Sequence, residues 1–169
     1  MADETNTAAA GTEPVEAQAQ FSIQKVYVKD VSFEAPGAPM VFNEQGNPDL
    51  NLNLNQKVGK LADDVYEVVL GINLTCKLGE KTVYIVELEQ AGIFSMQGFD
   101  ERTLDFMLGT YCPNVLFPYA RQMASELIQS GGFPPFYLQP INFEAIYAES
   151  LRRRAEQLKT ATAPAIGNA

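Results

Sequence analysis

The sequence predicts an α+β domain, with extended segments up to about Phe99 and helices after them. Two observations carry this. From Val65 to Gln90 apolar residues recur at every second position, the period of a strand with one buried face. After Pro113 the apolar spacing becomes three and four, the period of amphipathic helices. At 169 residues and 46% hydrophobic composition, the chain has room for one domain with a sizeable core, plus tails.

The central hairpin is the clearest element. Tyr66, Val68, Leu70, Ile72, Leu74, Cys76 and Leu78 alternate with Glu67, Gly71, Asn73, Thr75 and Lys77, and only Val65 and Val69 break the pattern. The return segment repeats it, with Tyr84, Val86 and Leu88 on one face and Val83, Ile85, Glu87 and Glu89 on the other. Residues directly opposite in an antiparallel pair share a face, so Leu74 must face an even-numbered partner. That parity asks for an odd-length loop, such as Gly79-Glu80-Lys81, rather than a two-residue turn.

In chain order, Met1 to Gln20 has no aromatic residue, no Lys or Arg and no apolar run. It is expected to be a disordered tail and not a signal peptide. A first strand follows, with Phe21, Ile23, Tyr27, Val31 and Phe33 at odd positions and Ser22, Gln24, Asp30, Ser32 and Glu34 at even ones. Val26 and Val28 fall out of this pattern. Pro36 and Pro39 stop the strand, since neither can donate to a ladder. Met40-Val41-Phe42 is apolar, and Asn43 to Pro48 reads as a turn. In Asp49 to Asn55, Leu50, Leu52 and Leu54 alternate with asparagine, a poor strand former, so an edge or a partly exposed crossover is expected. Those leucines either pack on the chain's own core or offer a strip to another chain. Asp63-Asp64 reads as a solvated strand start, and Ala91-Gly92 as a turn into a further strand from Ile93 to Phe99.

Thr103 to Leu108 predicts one or two helical turns. A helix from Pro113 to Ser130 carries Leu116, Tyr119, Ala120, Met123 and Leu127 at helical spacing. Gly131-Gly132 ends it, while Pro118 requires it to start near Phe117 or to bend. Three prolines keep Phe133 to Pro140 from being helical, and Phe133, Phe136, Tyr137 and Leu138 make this an unusually apolar loop. Asn142 caps a last helix with the stripe Phe143, Ile146, Tyr147, Leu151, Ala155 and Leu158, and Arg152-Arg153-Arg154 lies toward its C-terminus. Thr160 to Ala169 is expected to be a flexible tail.

Charge and composition narrow the function. A net charge of −9 with only 12 Lys and Arg argues against nucleic-acid binding and favours basic partners. Histidine is absent, which removes the usual base of Ser and Cys hydrolases and the commonest zinc ligand. Gly79-Glu80-Lys81-Thr82 lacks the glycines of a phosphate loop. Cys76 and Cys112 have neither metal nor redox spacing and are expected to be buried thiols in a cytosolic protein. No cofactor is expected. An enzyme built on carboxylates is open in principle, though no pair of them is placed for it.

Five stretches in order resemble SecB, the bacterial protein-export chaperone family. They are 30–36 (D-V-S-F-E-A-P), 61–70 (L-A-D-D-V-Y-E-V-V-L), 92–95 (G-I-F-S), 111–114 (Y-C-P-N) and 116–121 (L-F-P-Y-A-R). The resemblance covers about Phe21 to Gln157. It implies a four-stranded antiparallel sheet followed by two main helices packed on one face, assembled as a homotetramer, a dimer of dimers. It also implies a holding chaperone without ATPase activity that keeps preproteins unfolded and delivers them to SecA. The zinc-bearing C-terminal segment of SecA would dock on an acidic sheet face, here Asp30, Glu34, Ile85 and Glu87. All four lie on the outward faces given by alternation. The absence of histidine fits, because that zinc belongs to the partner. In the family a polar or acidic C-terminal tail also contributes, whereas Thr160 to Ala169 is uncharged.

A binder of unfolded chains needs exposed apolar surface of loose shape. Candidates for client contact are Met40, Val41, Phe42, Leu50, Leu52, Leu54, Phe133, Phe136, Tyr137 and Leu138. A rival reading is a small domain with an apolar ligand enclosed between sheet and helices, which predicts a closed cavity and no affinity for unfolded chains.

Overall fold

The computed structural model describes residues 19–161. The strands are β1 (Gln20–Glu34), β2 (Asp49–Ala62), β3 (Val65–Leu78) and β4 (Lys81–Gln97), in one antiparallel sheet ordered β1-β4-β3-β2. Helices α1 (Glu101–Gly109), α2 (Tyr111–Ser130) and α3 (Phe143–Ala161) follow, with α2 lying on β3 and β4. Apart from residues 19–20 and 160–161, the two expected tails fall outside the described residues.

The even face of β3 and β4 is the core. Leu70, Ile72, Leu74, Val86, Leu88, Phe94 and Met96 are buried there. Against them α2 sets Cys112, Leu116, Ala120, Ala124 and Ile128, one every fourth residue, all fully buried. Each large apolar side chain so covered contributes roughly 1.5–3 kcal/mol. Tyr119, expected in this stripe, is exposed instead. Helix α2 runs unbroken through Pro118. Pro118 and Asn114 both lie on its exposed side, so the Asn114 carbonyl that loses its donor faces water. The Asn142 carboxamide caps α3, accepting from Ala145 N–H at 3.0 Å.

The parity of the hairpin holds, but by another device. Leu74 pairs with Val86 and Cys76 with Tyr84, while Leu78 pairs with Lys81 across a two-residue turn. A bulge between Cys76 and Lys77 absorbs the extra residue, so the three-residue loop is not formed. Bulges also explain β1. The register shifts between Ile23 and Lys25 and again between Val28 and Asp30, so Val26 and Val28 point inward and Tyr27 outward.

Two further expectations are overturned. Ala91-Gly92 is not a turn, and Ile93 to Phe99 is no separate strand, because β4 runs continuously from Lys81 to Gln97. Those two small residues mark a close approach of α2: a Cβ on Gly92 would lie 2.8 Å from the Phe94 ring and 3.0 Å from Leu116. The fourth strand is β2, an edge strand that continues past Asn55 to Ala62. Asp63 and Asp64 form the exposed turn between β2 and β3.

Candidate functional site

The sheet presents two chemically different surfaces. On the outer face, Ser32, Glu87, Asn73 and Asn53 stand in one row across all four strands, and Glu34, Ile85, Thr75 and Asn51 in the next. Asp30 heads a third row with Glu89, Gly71 and Asn55. The structure thus brings Asp30, Glu34, Ile85 and Glu87 together on neighbouring rows of β1 and β4. The three carboxylates are exposed, Ile85 is half-buried between them, and none of the three joins an ion pair among the described residues.

Toward the far end of this face the charges are neutralised. Lys29 Nζ lies 2.7 Å from Glu67 Oε2, and Lys57 Nζ 2.6 Å from Glu89 Oε1. The Tyr27 hydroxyl also donates to Glu67. The lysine and then the tyrosine hold the Glu67 carboxyl below its ordinary value. That hydrogen bond, with burial, pushes the Tyr27 hydroxyl up to about 12. Of the carboxylates without such a lysine partner among the described residues, Glu34 and Glu87 stand nearer the hairpin end of the face.

The inner face carries the apolar candidates. Phe133 follows α2 and inserts its ring 5.0 Å from that of Tyr84 and 5.1 Å from that of Phe42. Val41, Phe42, Leu50, Phe133 and Phe136 line one groove of about 410 Å³, open to solvent. Cys76, Leu78, Val83 and Tyr84 form its other wall, and Pro134 and Pro135 its rim. The sequence did not single these out. Parity was the available signal for Cys76, Leu78 and Tyr84, since it sets Cys76 opposite Tyr84 and beside Leu50. Val83, expected on the other face, is buried in this wall because it is the extra residue of the bulge. Burial pushes the Cys76 thiol above its ordinary range, and Cys112 under α2 goes up to about 12 for the same reason. Both cysteines are free thiols.

Not all the candidates gather there. Leu138 is only 2% exposed and belongs to the core, and Val41, though it lines the groove, is only 7% exposed and presents little surface there. Met40 is exposed beside the groove but does not line it. Tyr137 is exposed and its ring lies 5.7 Å from the Arg121 guanidinium on α2. Leu52 and Leu54 lie further along β2, and beyond them Gln56 and Val58 enter a second open groove of about 370 Å³. Asp105, Tyr147 and Arg154 complete this groove, where the Tyr147 hydroxyl donates to Asp105 at 2.5 Å. The inner side of β2 thus runs from one groove to the other through Leu50, Leu52 and Leu54. Among the described residues, no group of three or more Cys, Asp or Glu side chains is placed to hold a metal ion.

Comparison with known proteins agrees with this architecture. The family described as "Preprotein translocase subunit SecB" matches residues 14–154. The chain belongs to the SecB family. It is 56% identical to the protein-export protein SecB of Xanthomonas oryzae pv. oryzae over 171 residues, covering 100% of both chains. To that of Stenotrophomonas maltophilia it is 57% identical over 153 residues, 90% of this chain and 88% of the relative. The Xylella fastidiosa SecB is 56% identical over 160 residues, 94% and 92% of the two chains. Among solved structures, a SecB-like chaperone of Mycobacterium tuberculosis, in complex with a ChAD peptide from the HigA1 antitoxin, superposes with a TM-score of 0.61. It is 20% identical and covers 75% of this chain and 92% of its own, a likeness that shows the SecB fold. The protein is thus a member of a protein-export chaperone family. Among its described residues no helix is long and apolar enough to cross a membrane.

Proposed function

We propose that this protein is an ATP-independent holding chaperone of the cytosol, which keeps preproteins unfolded on its inner sheet face and passes them to SecA through its outer one. The observation that carries the reading is the division of labour in β2 and its neighbours. One side of β2 is a partly exposed leucine strip joining an open apolar groove to a second open groove of mixed polar and apolar lining. The opposite side of the sheet bears unpaired carboxylates around Ile85. A strip of this kind accepts extended apolar segments without demanding one shape. The acidic rows attract a basic segment by charge. With an uncharged C-terminal stretch, the contact to SecA rests on Asp30, Glu34, Ile85 and Glu87.

The same reading includes a homotetramer, a dimer of dimers. Its support is that β1 is an edge strand whose inward side leaves Ile23, Val28 and Val31 46%, 37% and 41% exposed. A second copy would cover both the edge and these side chains.

The test is dilution of a denatured, slow-folding preprotein into buffer containing the purified protein and no nucleotide. Suppressed refolding and suppressed light scattering, with the client bound, support holding. A client that refolds or aggregates as it does alone removes the function and leaves a domain that binds small apolar ligands.

A further inference from the structure

In Asp49 to Asn55 the leucines account for the inner side of β2, while the asparagines have no task on the inner face. Asn53 stands directly opposite Asn73, and Asn73 directly opposite Glu87. Asn51 stands opposite Thr75, which stands opposite Ile85. The rows of Glu87 and of Glu34 therefore run on into uncharged polar side chains. We propose that Asn73, Asn53 and Asn51 extend the docking surface for the basic partner segment, hydrogen-bonding an extended, uncharged stretch of it that continues from its basic residues. This rests on the reading that such a segment docks at Glu34 and Glu87.

Three features favour a peptide recognised through its main chain. A carboxamide offers donors and an acceptor together, as a peptide group does. Alternate side chains on β2 repeat every ~6.7 Å, the same repeat as alternate residues of an extended ligand. The groups are also mostly unused: among the described residues, the only hydrogen bond the three make with other side chains is Asn53 Nδ2 to Asn51 Oδ1, at 3.1 Å. Asn55 differs, because its carboxamide fills the space over Gly71 and lies 2.1 Å from where a Cβ there would sit.

Protection of the sheet edge and self-association account for these residues less well. Polar residues on an edge strand discourage pairing with other sheets, but Asn73 is on β3, which is flanked by strands on both sides. A second copy of this chain would bring the carboxylates of two outer faces together.

The experiment titrates the full chain with the zinc-loaded C-terminal segment of SecA by calorimetry at several salt concentrations. Asn73→Thr and Asn53→Thr put better strand formers at these positions, so the fold is kept. Each is expected to weaken binding about three- to tenfold, the loss of one or two neutral hydrogen bonds, at every salt concentration. The slope of affinity against salt is expected to stay that of the wild type. Glu87→Gln should instead flatten that slope. Wild-type affinity in both threonine variants, with Glu87→Gln weakened, overturns the role of the amides and leaves the acidic site standing. No binding by the wild type overturns both.

Discussion

Gly131, which ends α2, lies flat against the ring of Phe33 on β1, so close that a Cβ on it would stand 2.1 Å from Phe33 Cζ. The backbone of Gly131 has φ −76°, which any residue adopts, so the demand for glycine is one of space. Gly131→Ala is therefore expected to push Phe33 off Tyr84 and Phe133, whose rings lie 6.1 and 6.4 Å from it. Overpacking of this kind costs about 1–3 kcal/mol, read as a lower denaturation midpoint. Phe33→Leu in the same chain should recover part of the loss. An additive double mutant would show that the two residues do not meet.

The Tyr27–Glu67–Lys29 cluster predicts a pH dependence. Lys29 and Tyr27 hold Glu67 below its ordinary value of 4.5, so the folded chain binds that proton less readily than the unfolded one. Its stabilisation is present above pH 4.5 and is lost as pH falls through the lowered folded value. Tyr27 runs the other way: its contribution is present below pH 10.0 and is lost as pH rises through about 12. Melting temperatures of the wild type and Glu67→Gln should differ by a constant amount near neutral pH. The gap should close on both the acid and the alkaline sides. A gap that persists in acid would assign the effect to packing of the glutamate stem.

The two faces should respond separately to mutation. Serine at Leu50, Leu52 and Leu54 together is expected to weaken client binding at least tenfold, about 1.4 kcal/mol, and to leave SecA binding unchanged. Charge reversal at Glu34 and Glu87 is expected to abolish SecA binding and spare the client. Client and SecA titrations on both variants, with circular dichroism to check the fold, decide it. Equal loss of both activities in both variants would show that the surfaces are not separate.

Periodicity made the hairpin, the first strand and α2 legible, because each buries one face and so writes its period into the sequence. The stripe expected on α3 is mostly left open, with Ile146, Leu151 and Leu158 46%, 43% and 69% exposed, and the cap at Asn142 was legible from residue type rather than from period. Departures from the period were visible but not their cause. Val26 and Val28 broke the pattern of β1 because two bulges rotate that part of the strand. Ala91-Gly92 looked like a turn because composition cannot separate a chain reversal from a strand pressed by a helix. Alternation placed Asp30, Glu34, Ile85 and Glu87 on outward faces, but their choice came from the family resemblance, and the rows they share appear only with the pairing of β1 and β4. The groove was only half legible, since Tyr84 and Cys76 read as ordinary core until β2 and the loop after α2 are placed beside them.

Phe133 allows the roles of anchor and client contact to be separated. Its ring meets Tyr84, Phe42 and Phe33, and it holds the proline-rich loop onto the sheet at the mouth of the groove. Ring pairs of this kind add about 0.5–1.5 kcal/mol each beyond their burial, and the ring is half-buried. Phe133→Ala is therefore expected to cost about 2–4 kcal/mol of stability, and Phe133→Leu less than half of that, since most of the volume returns. Limited proteolysis should cut the alanine variant first between Gly131 and Pro140, where the loop has lost its anchor. If client binding falls with the alanine variant and recovers with leucine, the loop acts by shaping the groove. If leucine restores stability but not binding, the aromatic ring itself touches the client.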